Sequence, residues 1–191
     1  MPADDAIRRR TILVVCYGNL CRSPMAEAVL RDRLGERAWK VVSAGTHAAG
    51  GDPPTEGARE AIARLAGLDI SQQRSRPLTT KLIEAADQVF TMSRRQALET
   101  AALFPEAAGR IRLLGAFAPS PHLADAPADP FGDPADELEI ADPMGGEPDA
   151  YEDCLRRLIA ASDAAAAWLL AGAADEAPAA KAAAAWANDR R

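Results

Sequence analysis

Residues 11–34 read TILVVCYGNLCRSPMAEAVLRDRL, and the segment changes character twice. Thr11 to Val15 is short, apolar and rich in branched side chains, which suits a buried parallel strand better than a helix. The run ends at Cys16 and enters a turn, where Gly18 and Asn19 are the residues that tolerate left-handed backbone. Pro24 suits a first helical turn, where its missing N–H leaves nothing unpaired. From Met25 to Leu34 the residues Met25, Ala28, Val29 and Leu34 fall roughly along one face. The stretch therefore predicts strand, tight loop and helix in succession.

The same alternation runs onward along the chain. Val41 and Val42 mark a second strand, Glu56 to Ala66 and Thr79 to Ala86 two helices, and Gln88 to Thr91 a third strand. Ser93 to Phe104 reads as a helix, Arg110 to Leu114 as a fourth strand, and about Asp149 to Leu170 as a last helix with Tyr151, Leu155, Leu158 and Ile159 inward. The expected class is α/β: a three-layer, doubly wound sheet of four parallel strands with helices on both faces and right-handed crossovers. In such sheets ligands bind beyond the carboxyl ends of the strands, and Cys16 sits at one of them.

The 191 residues divide into an N-terminal extension (1–10), one domain (11–171) and an Ala-rich tail (172–191). Within the domain lies a Pro- and Ala-rich acidic loop at about 116–140, and no Lys or Arg occurs from Leu113 to Leu155. No apolar run is long enough for a membrane span or a secretory leader, so a soluble, cytoplasmic protein is expected. Three cysteines, Cys16, Cys21 and Cys154, are too few and too unevenly spaced for a disulfide framework and read as reduced thiols. A formal charge of −6 argues against nucleic acid as a partner; the short Arg8 to Arg10 run does not reverse that.

Chemistry concentrates in CYGNLCR, a Cys-x5-Arg pair formed by Cys16 and Arg22. Alone, that spacing is a weak signal. With a strand delivering the cysteine and a helix starting just after the arginine, the loop turns successive N–H groups inward and adds the positive end of a helix, which makes an anion nest. Such a nest favours the thiolate, a nucleophile. Arg22 offers a planar fork of donors for two phosphoryl oxygens, and the Ser23 hydroxyl is placed to donate to the sulfur. The plain alternative is a buried cysteine at a strand end. No cofactor and no metal-ligand cluster is expected.

VVCYGNLCRSPMAE at residues 14–27 resembles the phosphate-binding signature of the low-molecular-weight protein tyrosine phosphatase family. The resemblance continues through SAGT at 43–46, GLDISQQRSRPLT at 67–79 and DPMGG at 142–146, and so spans most of residues 11–170. It implies hydrolysis of phosphotyrosine on proteins in two steps through a phosphocysteine, without metal. It implies Cys16 as nucleophile, Arg22 as phosphate clamp and Asp142 as general acid, with Tyr17, Gly18, Asn19, Leu20, Cys21 and Ser23 around the phosphate. Two further Asp-Pro pairs, at Asp129 and Asp133, fit the spacing to the last helix less well. Asn19, Ser23 and Ser43 match a family hydrogen-bond network whose fourth member is usually His; here Gln73 stands there, able to donate but not to carry charge.

Some positions depart from the pattern. Met144 replaces the aromatic residue after the Asp-Pro pair, and the loop from His47 to Gly51 lacks an aromatic wall, for which Tyr17 is a candidate substitute. His47 either lines the cleft or is simply solvated; His122 reads as solvated. Three other functions share the scaffold. Protein arginine phosphatases of this fold carry Thr where Leu20 stands. Arsenate reductases need two relay cysteines downstream, and only Cys154 follows. A non-catalytic phosphate-binding module would not need the intact Cys, Arg, Ser and Asp. Oligomeric state is left open.

Overall fold

The computed structural model describes residues 9–35, 38–118 and 138–172. Four strands, β1 (Arg10–Cys16), β2 (Trp39–Gly45), β3 (Gln88–Thr91) and β4 (Ile111–Leu113), form one parallel sheet in the order β2-β1-β3-β4. Among the described residues five α-helices connect or cover them: α1 (Arg22–Leu34), α2 (Glu56–Ala66), α3 (Thr80–Ala85), α4 (Arg94–Leu103) and α5 (Pro148–Leu170). This is the expected doubly wound α/β sheet. The chain leaves β1 toward β2 on one side and returns to β3 on the other, so the strand order switches at the carboxyl end of β1.

Both faces of the sheet are covered, which is why β1 reads as a continuous apolar run from Ile12 to Val15. Ile12, Val14 and Phe90 pack with α1, α2 and α5, while Leu13, Val15 and Val89 pack with Ile83 of α3 and Ala97 of α4. Each fully buried Ile, Leu or Phe contributes on the order of 1.5–3 kcal/mol. The first turns of α1 are buried on every side, Arg22 to Leu30 included, because the helix lies between the sheet and α5. Gly57 of α2 sits against α5, where a Cβ would come within 2.7 Å of the Tyr151 ring.

Several boundaries differ from expectation. α1 starts at Arg22 itself rather than at the Ser23-Pro24 step just after it, putting the arginine in the first turn; Pro24 is accommodated there, as expected, because first-turn amides have no helical partner. Arg110 belongs to a 3-10 turn (Pro105–Arg110) and Leu114 to another (Leu114–Phe117), leaving β4 three residues long. Ile159 is only partly buried. The tail beyond Gly172, most of the acidic loop with His122, Asp129 and Asp133, and the first eight residues lie outside the described residues. No described helix is long and apolar enough to cross a membrane.

Candidate active site

β1 delivers Cys16 next to Gly45 at the end of β2. A Cβ on Gly45 would lie 2.5 Å from the Tyr17 carbonyl oxygen and 2.9 Å from the Asn19 nitrogen, so only glycine lets β2 approach the loop this closely. The following segments then tie the loop down from outside. Thr46 N–H donates to Cys16 O (3.0 Å), His47 N–H to Tyr17 O (2.9 Å) and Thr55 N–H to Leu20 O (3.0 Å). With those carbonyls engaged outward, the loop wraps the sulfur, and Asn19 N–H donates to Cys16 Sγ at 3.2 Å.

Asn19 is the only non-glycine residue with positive φ among the described residues, at 56°. Its side chain shows what holds it there. Nδ2 donates to Ser23 Oγ (2.8 Å) and Ser43 Oγ (2.9 Å), and Oδ1 accepts from Arg76 N–H (2.9 Å). Gly18, expected to share the left-handed turn, does not adopt positive φ; it contributes lining to the cleft instead. Ser23 Oγ lies 2.9 Å from Cys16 Sγ. Since Ser23 accepts from Asn19, its own proton is available for the sulfur, which is nearer than the alternative acceptor, Ala44 O at 3.5 Å.

The network ends at a residue the sequence reading missed. Ser43 donates to Glu27 Oε2 at 2.6 Å, and Glu27, itself buried, pairs with Arg31 one turn along α1. Gln73, expected as the fourth member, instead donates to Pro24 O at 3.3 Å, and its Oε1 is buried without a partner. The signal for Glu27 was available: a lone carboxylate inside the apolar turn Met25–Leu30, four residues before an arginine.

Arg22 is buried and aims its guanidinium at the loop after the acidic stretch, where Nη1 donates to Ile140 O (3.1 Å) and Nη2 pairs with the Asp142 carboxylate. Asp142 Oδ1 accepts from Met144 N–H at 3.2 Å, a local turn that orients the carboxylate. Cys16, Arg22 and Asp142 thus line one cleft of about 340 Å3, together with Tyr17, Leu20, His47 and Met144. The residues expected at the site are therefore gathered there, Gln73 excepted.

The other two thiols are biased toward their protonated forms by burial. Cys21, next to Thr55 Oγ1 at 3.2 Å, is pushed upward in pKa by burial. Cys154 on α5 is pushed up to about 12 by burial and stays protonated at neutral pH. Among the described residues no group of His, Cys, Asp or Glu is placed to hold a metal ion.

Known proteins resemble this chain both in sequence and in fold. A probable low molecular weight protein-tyrosine-phosphatase, EpsP of Ralstonia solanacearum, is 36% identical over 155 residues, covering 81% of this chain and 92% of that protein. The YwlE arginine phosphatase from Geobacillus stearothermophilus superposes with a TM-score of 0.70 at 28% identity, covering 88% of this chain and 97% of the other. The tyrosine phosphatase Wzb from Escherichia coli K30, in complex with sulphate, gives 0.68 at 28% identity, covering 84% and 99%. The family profile described as low molecular weight phosphotyrosine protein phosphatase matches residues 11–172, from the second residue of β1 to just past α5, and with it the loop, the arginine and the late carboxylate: the chain belongs to that family.

Proposed function

We propose that the chain hydrolyses phosphotyrosine on protein substrates with Cys16 as nucleophile. The observation that supports this most is the convergence on one sulfur of Ser23 Oγ at 2.9 Å and Asn19 N–H at 3.2 Å, in a cleft that also holds Arg22 and Asp142. Backbone and hydroxyl donors aimed at a sulfur stabilise its anion both before attack and as it leaves.

In the first step the Cys16 sulfur attacks phosphorus, the S–P bond forms, and the bond from phosphorus to the tyrosine oxygen breaks. Asp142, protonated, gives its proton to that oxygen. The Arg22 fork holds two phosphoryl oxygens; an entering phosphate takes over the guanidinium that Asp142 engages and frees the carboxyl group for its proton transfer. In the second step water attacks phosphorus, Asp142 accepts its proton, and the thiolate departs toward the Ser23 hydroxyl. Asn19, Ser43 and Glu27 hold the loop in shape, and Gly18, Leu20 and Cys21 line the cleft around the phosphate.

A second reading, phosphoarginine as substrate, uses the same floor and is favoured by the likeness to an arginine phosphatase. The apolar Leu20 and the exposed Tyr17 in the cleft lining favour an aryl group. Initial rates on matched phosphotyrosine and phosphoarginine peptides decide between them. A higher kcat/KM on phosphotyrosine is expected, the reverse order transfers the assignment to arginine, and no turnover of either contradicts both.

A further inference from the structure

Tyr17 directly follows the nucleophile and stands at the rim of the cleft, 49% exposed. It lines the catalytic cleft on one side and a second cleft, of about 360 Å3, on the other. An exposed aromatic side chain on a loop ordinarily loses rotamer freedom when a ligand needs it in one orientation, and that loss subtracts from affinity. Here the ring is already held. It stacks on His47 with centroids 4.4 Å apart and planes 12° from parallel.

His47 has a polar neighbour at each ring nitrogen. Nδ1 lies 2.9 Å from Thr46 Oγ1, and Nε2 lies 3.5 Å from Glu99 Oε1 on α4. Its backbone N–H also donates to the Tyr17 carbonyl at 2.9 Å, so the two residues are joined by main chain as well as by rings. Glu99 lines the second cleft, whose wall also includes Arg22 and Asp142, and is absent from the lining of the cleft that holds Cys16; the ring nitrogen of His47 is its link to the Tyr17 stack. The remaining apolar lining of the catalytic cleft, Leu20, Ala48, Ala49 and Met144, presents no ring. Among the described residues, Tyr17 and His47 are therefore the flat surface available there to a substrate ring.

We propose that His47 and Glu99 are positioning residues that set Tyr17 as the aromatic wall of the substrate cleft, and that this pair selects aryl phosphates. The proposal rests on the phosphotyrosine reading and adds the specificity determinant to it. It also accounts for a wall in a chain whose usual aromatic positions carry Met144 and a glycine- and alanine-rich loop. The chemistry recognised is a planar aromatic leaving group, by stacking; the phosphoryl group is left to the floor of the site.

Steady-state kinetics on a phosphotyrosine peptide, with inorganic phosphate as competitive inhibitor, test this. His47→Ala removes the ring that supports Tyr17 and should raise KM about threefold to tenfold. The inhibition constant of phosphate, which reads only the floor, should not move, and kcat should stay within about twofold. His47→Phe keeps a ring without a partner for Glu99 and should restore KM. Glu99→Gln should raise KM by a smaller factor in the wild-type chain and leave it unaltered in the His47→Phe background. An unchanged KM in His47→Ala, a phosphate inhibition constant that rises by the same factor, or an equal effect of Glu99→Gln in both backgrounds overturns the proposal. A wild-type chain inactive on aryl phosphates overturns the function reading and this proposal together, whereas an active wild type with an indifferent His47→Ala overturns this proposal alone.

Discussion

At the floor of the cleft Cys16, Asn19, Ser23 and Ser43 are each at most 3% exposed and bonded to one another, whereas at the rim Tyr17 and Met144 are each 49% exposed and the Asp142 side chain 44%. The floor is a closed chain of hydrogen bonds running from the sulfur through Ser23, Asn19 and Ser43 to Glu27. The rim is assembled from three separate segments that meet through one stack and one ion pair. A buried, fully partnered network costs nothing to reorganise when charge develops, which suits binding of a phosphoryl group whose geometry never varies. An exposed rim can exchange partners, which is what the proposed mechanism asks of Asp142 when phosphate enters. The contrast separates what the site does to phosphorus from what it asks of the leaving group.

That division is most sharply broken or upheld by Asp142→Asn. If the rim supplies the proton, kcat should fall by about 10²- to 10⁴-fold for phenyl phosphate and much less for 4-nitrophenyl phosphate, whose leaving group needs no proton. Asp129→Asn should leave the leaving-group dependence intact. Should Asp129→Asn abolish it while Asp142→Asn behaves as wild type, the acid at the rim has been assigned to the wrong Asp-Pro pair.

The floor is tested from its far end by Glu27→Ala, which touches neither the sulfur nor the cleft. The Ser43 hydroxyl then loses its acceptor and the buried network loses its anchor. A stability loss of about 1–3 kcal/mol is expected. It should come with a lower kcat for phenyl and 4-nitrophenyl phosphate alike, because loop geometry, not proton transfer, is affected. A kcat effect confined to the poor leaving group would show that floor and rim are not separable.

A smaller effect belongs to the thiol away from the site. The Cys154 pKa is raised to about 12 in the folded chain from an ordinary 9.0. Between those values the unfolded chain releases this proton while the folded chain keeps it, so the stabilisation is complete below about pH 9 and is lost as pH rises toward 12. The slope from this one group reaches about 1.4 kcal/mol per pH unit. Denaturant titrations at pH 8 and pH 10.5 should show a smaller decline for Cys154→Ala than for the wild type; equal declines would mean that Cys154 is not protected by burial.

The floor was more legible in sequence than the rim, and the reason is distance along the chain. Cys16, Asn19, Arg22 and Ser23 lie within eight consecutive residues whose strand, turn and helix signals locate them without tertiary information. β1 was equally legible because burial on both faces leaves an uninterrupted apolar run, whereas β2, interrupted by the exposed Lys40, showed only Val41 and Val42 of its seven residues. Gln73 was misread and Glu27 missed because a polar side chain next to a network can bond into it or away from it, and pattern does not distinguish the two. The left-handed turn fell to Asn19 alone because its amide bonds in three directions, which glycine cannot match. His47 and Glu99 lie 52 residues apart in sequence, on β2's exit and on α4, and no periodicity announces that the fold brings them together.

The central claim, a covalent step at Cys16, is most directly tested by trapping. The full chain is mixed with a 32P-labelled aryl phosphate in the presence of EDTA, denatured in alkali within milliseconds, digested and mapped. The label should lie on the peptide that contains Cys16 in the wild-type chain and be absent from Cys16→Ser, which should also be inactive while keeping the wild-type fold by circular dichroism. Label on another residue, turnover by Cys16→Ser, or activity that EDTA abolishes and a divalent metal restores would contradict the account.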